Sequence, residues 1–284
     1  MRRVLTVLAV GGISLSACMR PVPRVLAAGV PAAGVAGADQ AEPQSPQQLV
    51  GEMVAHEEEP HKDCYEYLNQ ERSDRTGGHL WTERVVETSK GKLRLLLAED
   101  GKPLGADRAQ AERAKLDAIA ANPAAFERAE ATSNNDEVHA RQMLDSLPKG
   151  FLLEHVALND NVWRVDYRPN PAYSPSTMEE HVLHGMSGWF TIDARDMRLV
   201  HIEGRLAQDV TMGLGLINIR AGSSFASDRA DEDGRWRTVR VQTDIRGRAL
   251  LFKTISRSSD VTRSEFHYLD QTTTVPQAVA LLEK

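Results

Sequence analysis

The chain has 284 residues, 41% of them hydrophobic and 26% charged, and a formal net charge of −6 at pH 7. That balance is ordinary for a globular protein long enough to bury a sizeable core. The acidic excess, with no basic block against it, disfavours nucleic acid as a partner and gives an anionic membrane surface no hold.

Arg2 and Arg3 make a basic start, and Val4 to Leu15 form an apolar run too short to span a bilayer comfortably. Leu15-Ser16-Ala17-Cys18 then places small residues before a cysteine. The pattern resembles a bacterial lipoprotein signal, whose cysteine becomes the acylated N-terminus. The resemblance implies a signal peptide over residues 1–17, lipidation at Cys18 and a protein facing the periplasm. Met19, rather than Asp, after the cysteine implies the outer membrane. Cleavage at a later small-residue site within Ala32 to Ala38, or initiation at Met19, are the alternatives. Residues 18–45 are rich in Ala, Pro, Gly and Gln, with few large apolar side chains, and read as a flexible tether. Without Arg2 and Arg3 the formal charge of −6 becomes −8. Acylation of Cys18 would leave Cys64 as a lone buried thiol on a strand.

Residues 46–284 read as one domain. Leu49, Met53 and Val54 recur at helical spacing between Pro46 and Glu59, and Pro60 ends that helix. Strands follow: one opening at Tyr65 and Tyr67, one over His79 to Thr88, and one over Leu93 to Leu97 that Asp100-Gly101 stops. Ala106 to Leu147 breaks the rhythm as a helical insertion. Asp107 and Gln110 suit a cap there, Leu116 and Ile119 are sparse anchors, Asn122-Pro123 interrupts, and Asn134-Asn135-Asp136 offers a second start. Phe151 to Leu158 and Val162 to Tyr167 form a hairpin, and the prolines from Pro169 to Pro175 make an extended bridge. Ser176 to Gly185 has room for one helical turn or two.

The most legible stretch is Gly188 to Leu206. Phe190 and Ile192 share one face of an incoming strand, Val200, Ile202 and Leu206 share one face of the return strand, and Asp193 to Asp196 supply the turn. Asp209 to Ile219 is greasy and loosened by Gly213 and Gly215, which suggests a sharp bend or a close approach. Trp236 to Ile245 alternates as a strand after the Asp231-Glu232-Asp233-Gly234 turn. Arg246-Gly247-Arg248 is expected to turn into a strand over Ala249 to Ile255, Glu265 to Leu269 to form a last short strand, and Pro276 to Lys284 a terminal helix. Repeated one-sided hairpins add up to an α+β protein built on a large curved antiparallel sheet with its apolar side covered.

Signals of chemistry are weak. His181 and His184, with Glu180 nearby, have the spacing of one helix face, so a metal-dependent hydrolase is the lesser alternative. Gly185-Met186-Ser187-Gly188 lacks the spacing of a nucleophile elbow, and no carboxylate pair is singled out as acid and base. The expectation is a protein that is not an enzyme and needs no cofactor or metal. Four tryptophans, at 81, 163, 189 and 236, fall on or beside strands, where rings fill a core or line a ligand cavity.

Together, the signal, the short first helix, the helical insertion, Pro169-Asn170-Pro171-Ala172-Tyr173 and the Gly188 to Leu206 hairpin resemble the outer-membrane lipoprotein-sorting (LolA/LolB-like) family. The resemblance spans Gln47 to Leu269. It implies a half-open β-barrel whose helices cover the concave face around an apolar cavity for acyl chains. The candidate ligand contacts are then Trp163, Trp189, Phe190, Ile192, Leu214, Leu216 and Trp236. The implied partners are lipid acyl chains or acylated proteins, and the membrane through the N-terminal anchor. The alternative is an envelope sensor that uses the same fold to bind a protein partner. Two features depart from the family: the insertion is long, and a lipid anchor suits the membrane-bound receptor better than the soluble shuttle.

Overall fold

The computed structural model describes residues 45–57, 63–133, 144–213, 215–249 and 253–284. Cys18, the tether up to residue 44, the second helix start at Asn134 and Leu214 lie outside the described residues.

Thirteen strands form one antiparallel sheet. They are β1 (Cys64–Ser73), β2 (Leu80–Thr88), β3 (Gly91–Glu99), β4 (Lys102–Pro103), β5 (Phe151–Asn159), β6 (Val162–Pro169), β7 (Met186–Asp193), β8 (Leu199–Leu206), β9 (Val210–Met212), β10 (Ile217–Ile219), β11 (Ser224–Glu232), β12 (Arg235–Ala249) and β13 (Lys253–Leu269). Their spatial order is β4-β3-β2-β1-β13-β12-β11-β8-β7-β6-β5, with β10 and β9 hung beside β12, so the sheet is not closed. The helices are α1 (Pro46–Glu57), α2 (Ala106–Ala121), α3 (Pro123–Ser133), α4 (Met178–His184) and α5 (Val275–Leu282). Residues 144–150 are also helical. The protein is α+β.

The pairing register assigns the faces. Tyr67 pairs with Val85, Asn69 with Arg263, Val261 with Val241, Val241 with Ser227, Ser227 with Ile202, Ile202 with Phe190, and Phe190 with Val165. Side chains directly opposite share a face, so all of these belong to one side of the sheet. Val86 and Leu93, paired with each other, point to the other side. Helices use both sides. On the first, Leu49, Val50, Met53 and Val54 of α1, with Leu144 and Leu147, pack over Val165, Tyr167, Phe190 and Ile192. On the second, α5 and Leu116 of α2 pack over Val86, Leu93 and Leu95.

Several expectations are corrected. A register shift between Thr191 and Ile192 puts Leu199, not Val200, opposite Ile192. Leu199 is accordingly the buried residue, because a bulge reverses the alternation beyond it. Gly105, not Asp107, caps α2, and no side chain bonds there. Arg246-Gly247-Arg248 is not a turn: β12 runs through it to Ala249. Gly247 is required because a Cβ there would lie 2.4 Å from the Asn218 carbonyl of β10. β13 is seventeen residues long and reaches back to Lys253. Gly213 and Gly215, both at positive φ, form the tight connection between β9 and β10.

Candidate functional site

The site begins where α1 ends. Glu57, its last residue, is 1% exposed. Its carboxylate meets the Arg229 guanidinium of β11, and its Oε1 accepts the Leu199 N–H at 3.0 Å. Arg198 lies 3.9 Å from the same carboxylate and donates to the His56 carbonyl. Both arginines are buried. A buried ion pair of this kind is tolerable only because each charge is answered by the other and by backbone groups.

In front of that cluster the sheet opens into a cavity of about 550 Å³. Its floor is aromatic. Phe266 of β13 lies 6.4 Å from Tyr65 and 5.3 Å from Tyr67 between ring centroids, and Val85 completes the cluster. Alternation along β1 brings Tyr65 and Tyr67 to one face, and pairing with β13 brings Phe266 beside them. Arg237 of β12 lies on this floor, 3.3 Å from the Tyr65 ring centroid and 5.2 Å from that of Phe266. Arg263 lies 5.7 Å from that of Tyr67. Both contacts are cation–π in character.

The walls are strongly charged. Six arginines (195, 198, 229, 235, 237 and 263) face four carboxylates (Asp63, Glu87, Asp196 and Asp231), an excess of two positive charges in a protein of net charge −6. Most are committed to partners. Asp63 accepts from Tyr65 at 2.7 Å and Arg235 at 3.1 Å. Asp196 accepts from Trp236 at 3.2 Å and pairs with Arg195 at 3.0 Å. Glu87 pairs with Lys92 at 3.0 Å. Burial, and then the hydrogen bond to Asp63, push the Tyr65 phenol above its ordinary pKa, so it remains a donor.

Arg237 is different. It is 8% exposed, and its Nε and Nη1 are buried with no hydrogen-bond partner. Burial pulls its pKa below the ordinary arginine value, with Tyr65 and Asp63 opposing. The hydroxyl of Thr238 and the Nε of Arg263 are likewise buried without a partner. Unmade hydrogen bonds of buried donors cost about 1–3 kcal/mol each. The arrangement suits binding of an anion.

Of the candidate ligand contacts among the described residues, only Trp236 lines this cavity. Phe190 and Ile192 are 0% exposed beneath α1, with Trp163 packed at the edge of the same cluster. Trp189 stacks between His201, at 4.3 Å, and Arg164, at 4.1 Å. Leu216 is 49% exposed in the β9–β10 connection. The sequence reading missed Arg229, Arg237, Arg263, Tyr65, Tyr67 and Phe266. The signal available was arginine at inward positions of strands, coupled with Tyr65-x-Tyr67. His181 contacts the Thr177 carbonyl at 2.8 Å and His184 the Asn170 carbonyl at 3.1 Å. Among the described residues no three His, Cys, Asp or Glu side chains converge as a metal site would need. Cys64 is a buried free thiol whose pKa burial raises. Set against known proteins, the chain matches no family model, and no curated protein or solved structure is significantly similar to it.

Proposed function

We propose that this chain is a periplasm-facing lipoprotein, anchored through Cys18, that binds a lipid or the acylated end of a protein and does no chemistry on it. The observation that supports the reading is the cavity of about 550 Å³, with its floor of three aromatic rings and its positive excess. That volume falls within the range of about 300–1,000 Å³ typical of small-ligand sites. Rings offer a surface for hydrocarbon, each buried methylene contributing about 0.8 kcal/mol, and the arginines offer a place for a polar anionic end. The test is to express the full chain with its leader and analyse it by native mass spectrometry and organic extraction. The expected result is acyl mass on Cys18 and a second amphiphile released on denaturation. Protein that neither carries an amphiphile nor takes up a fluorescent lipid would overturn the reading.

A second reading, a sensor that docks a protein partner, draws on α2. This sixteen-residue helix fully buries only Leu116, with Ile119 and Ala120 half-buried beside it, and leaves most of its other side chains exposed. Crosslinking in the envelope separates the two, because a sensor captures one partner reproducibly without lipid.

A further inference from the structure

We infer that the cavity is a phosphate site, in which Arg237, Arg263 and Thr238 hold a phosphate monoester, free or as the headgroup of a lipid. The inference rests on the binding reading above and gives it a ligand class.

Charge decides the class. Asp63, Glu87 and Asp196 are each occupied by a cation of their own, Arg235, Lys92 and Arg195. Arg229 is spent on Glu57, and Arg198 on the His56 carbonyl. Asp231 stands exposed at the rim. Of the six lining arginines, Arg237 and Arg263 are the two with no carboxylate within ion-pair distance among the described residues. A phosphate monoester carries about −1.5 to −2 at neutral pH, whereas a carboxylate or phosphodiester carries only about −1. Of these, the monoester comes nearest to balancing the two guanidiniums.

Geometry agrees. Arg237 and Arg263 lie on neighbouring rings of one floor, 3.3 Å from the centroid of Tyr65 and 5.7 Å from that of Tyr67, with Phe266 between. Both guanidiniums lie over rings of the floor. Arg237 Nε and Nη1, Arg263 Nε and Thr238 Oγ1 are buried donors without an acceptor. Arg237 and Thr238, consecutive on β12, both line the cavity. Guanidinium groups match the oxygens of a phosphate through parallel N–H bonds, and a hydroxyl serves a third oxygen.

Isothermal titration of the full chain with four probes tests this: inorganic phosphate, dodecyl phosphate, laurate and dodecyl maltoside. The expected order has dodecyl phosphate tightest, at least about tenfold ahead of laurate, with inorganic phosphate weaker but measurable. Arg237→Gln and Arg263→Gln should each weaken dodecyl phosphate about tenfold or more, Arg237→Lys less, and the surface change Arg246→Gln not at all. Laurate or maltoside binding as tightly as dodecyl phosphate would overturn the phosphate assignment while leaving amphiphile binding in place. Inorganic phosphate equal to dodecyl phosphate would keep the site and sink the amphiphile reading. No binding of any probe sinks both. The preference among probes is read on the unmodified chain, so it stands even if an arginine variant fails to fold.

Discussion

Glu57 ties the end of α1 to the sheet. Its carboxylate is 1% exposed, touches Arg229, and accepts a backbone N–H from Leu199. Glu57→Gln keeps the size and the acceptor for that N–H but removes the charge that faces the buried Arg229 guanidinium. Breaking one side of such a cluster costs about 3–5 kcal/mol. Urea unfolding should show a loss of that order, and a loss below about 1 kcal/mol would mean that the arginines find other partners at no cost. The cluster lies behind the cavity, so the variant also tests whether the ligand site depends on its back wall.

At the scale of elements, α4 shows how local chemistry sets a boundary. Thr177 and Glu180 form a reciprocal capping box, and the Glu180 carboxylate also accepts from Tyr173 and from Ser176 Oγ at 2.8 Å. Burial opposes its charge, but the hydrogen bonds from Tyr173, Ser176 and Thr177 outweigh it and hold the pKa down to about 2. A folded-state pKa below the unfolded value gives stability that is fully present above about 4.5 and is lost as pH falls toward 2. Wild type should therefore lose stability relative to Glu180→Gln between those limits in acid unfolding; parallel curves would refute the assignment. Elements of this kind were legible: the helix over α1, the break at Asn122-Pro123, and the hairpin of β7 and β8 all follow from periodicity and turn residues. β13 was not, because Ser256 to Asp260 is a polar run in a central strand, and its strand state comes from pairing with β1 and β12. The cavity escaped for the same reason. Its arginines lie in the β7–β8 turn and on β11, β12 and β13, and only the pairing of those strands brings them to one cavity.

For the whole molecule, the decisive fact is that β1 and β13 pair with each other in the middle of the sheet, with the β2–β4 meander on one side and β5–β12 on the other. Such distant pairing favours a single cooperative transition, and slow folding, since nothing central forms until both ends of the domain are present. Fluorescence of Trp81 on β2 and of Trp189 on β7, read in variants that keep one tryptophan each, should give the same denaturant midpoint as far-UV circular dichroism. Separate midpoints would show that the two wings unfold independently. The same layout has a mechanical side. The backbone enters the domain through α1, and the last residue of α1 is bolted to Arg229 in the cavity wall. A pull on the N-terminal end of α1 would therefore be delivered first to the cavity wall, so force applied at one end of the helix and the shape of the cavity share one lever.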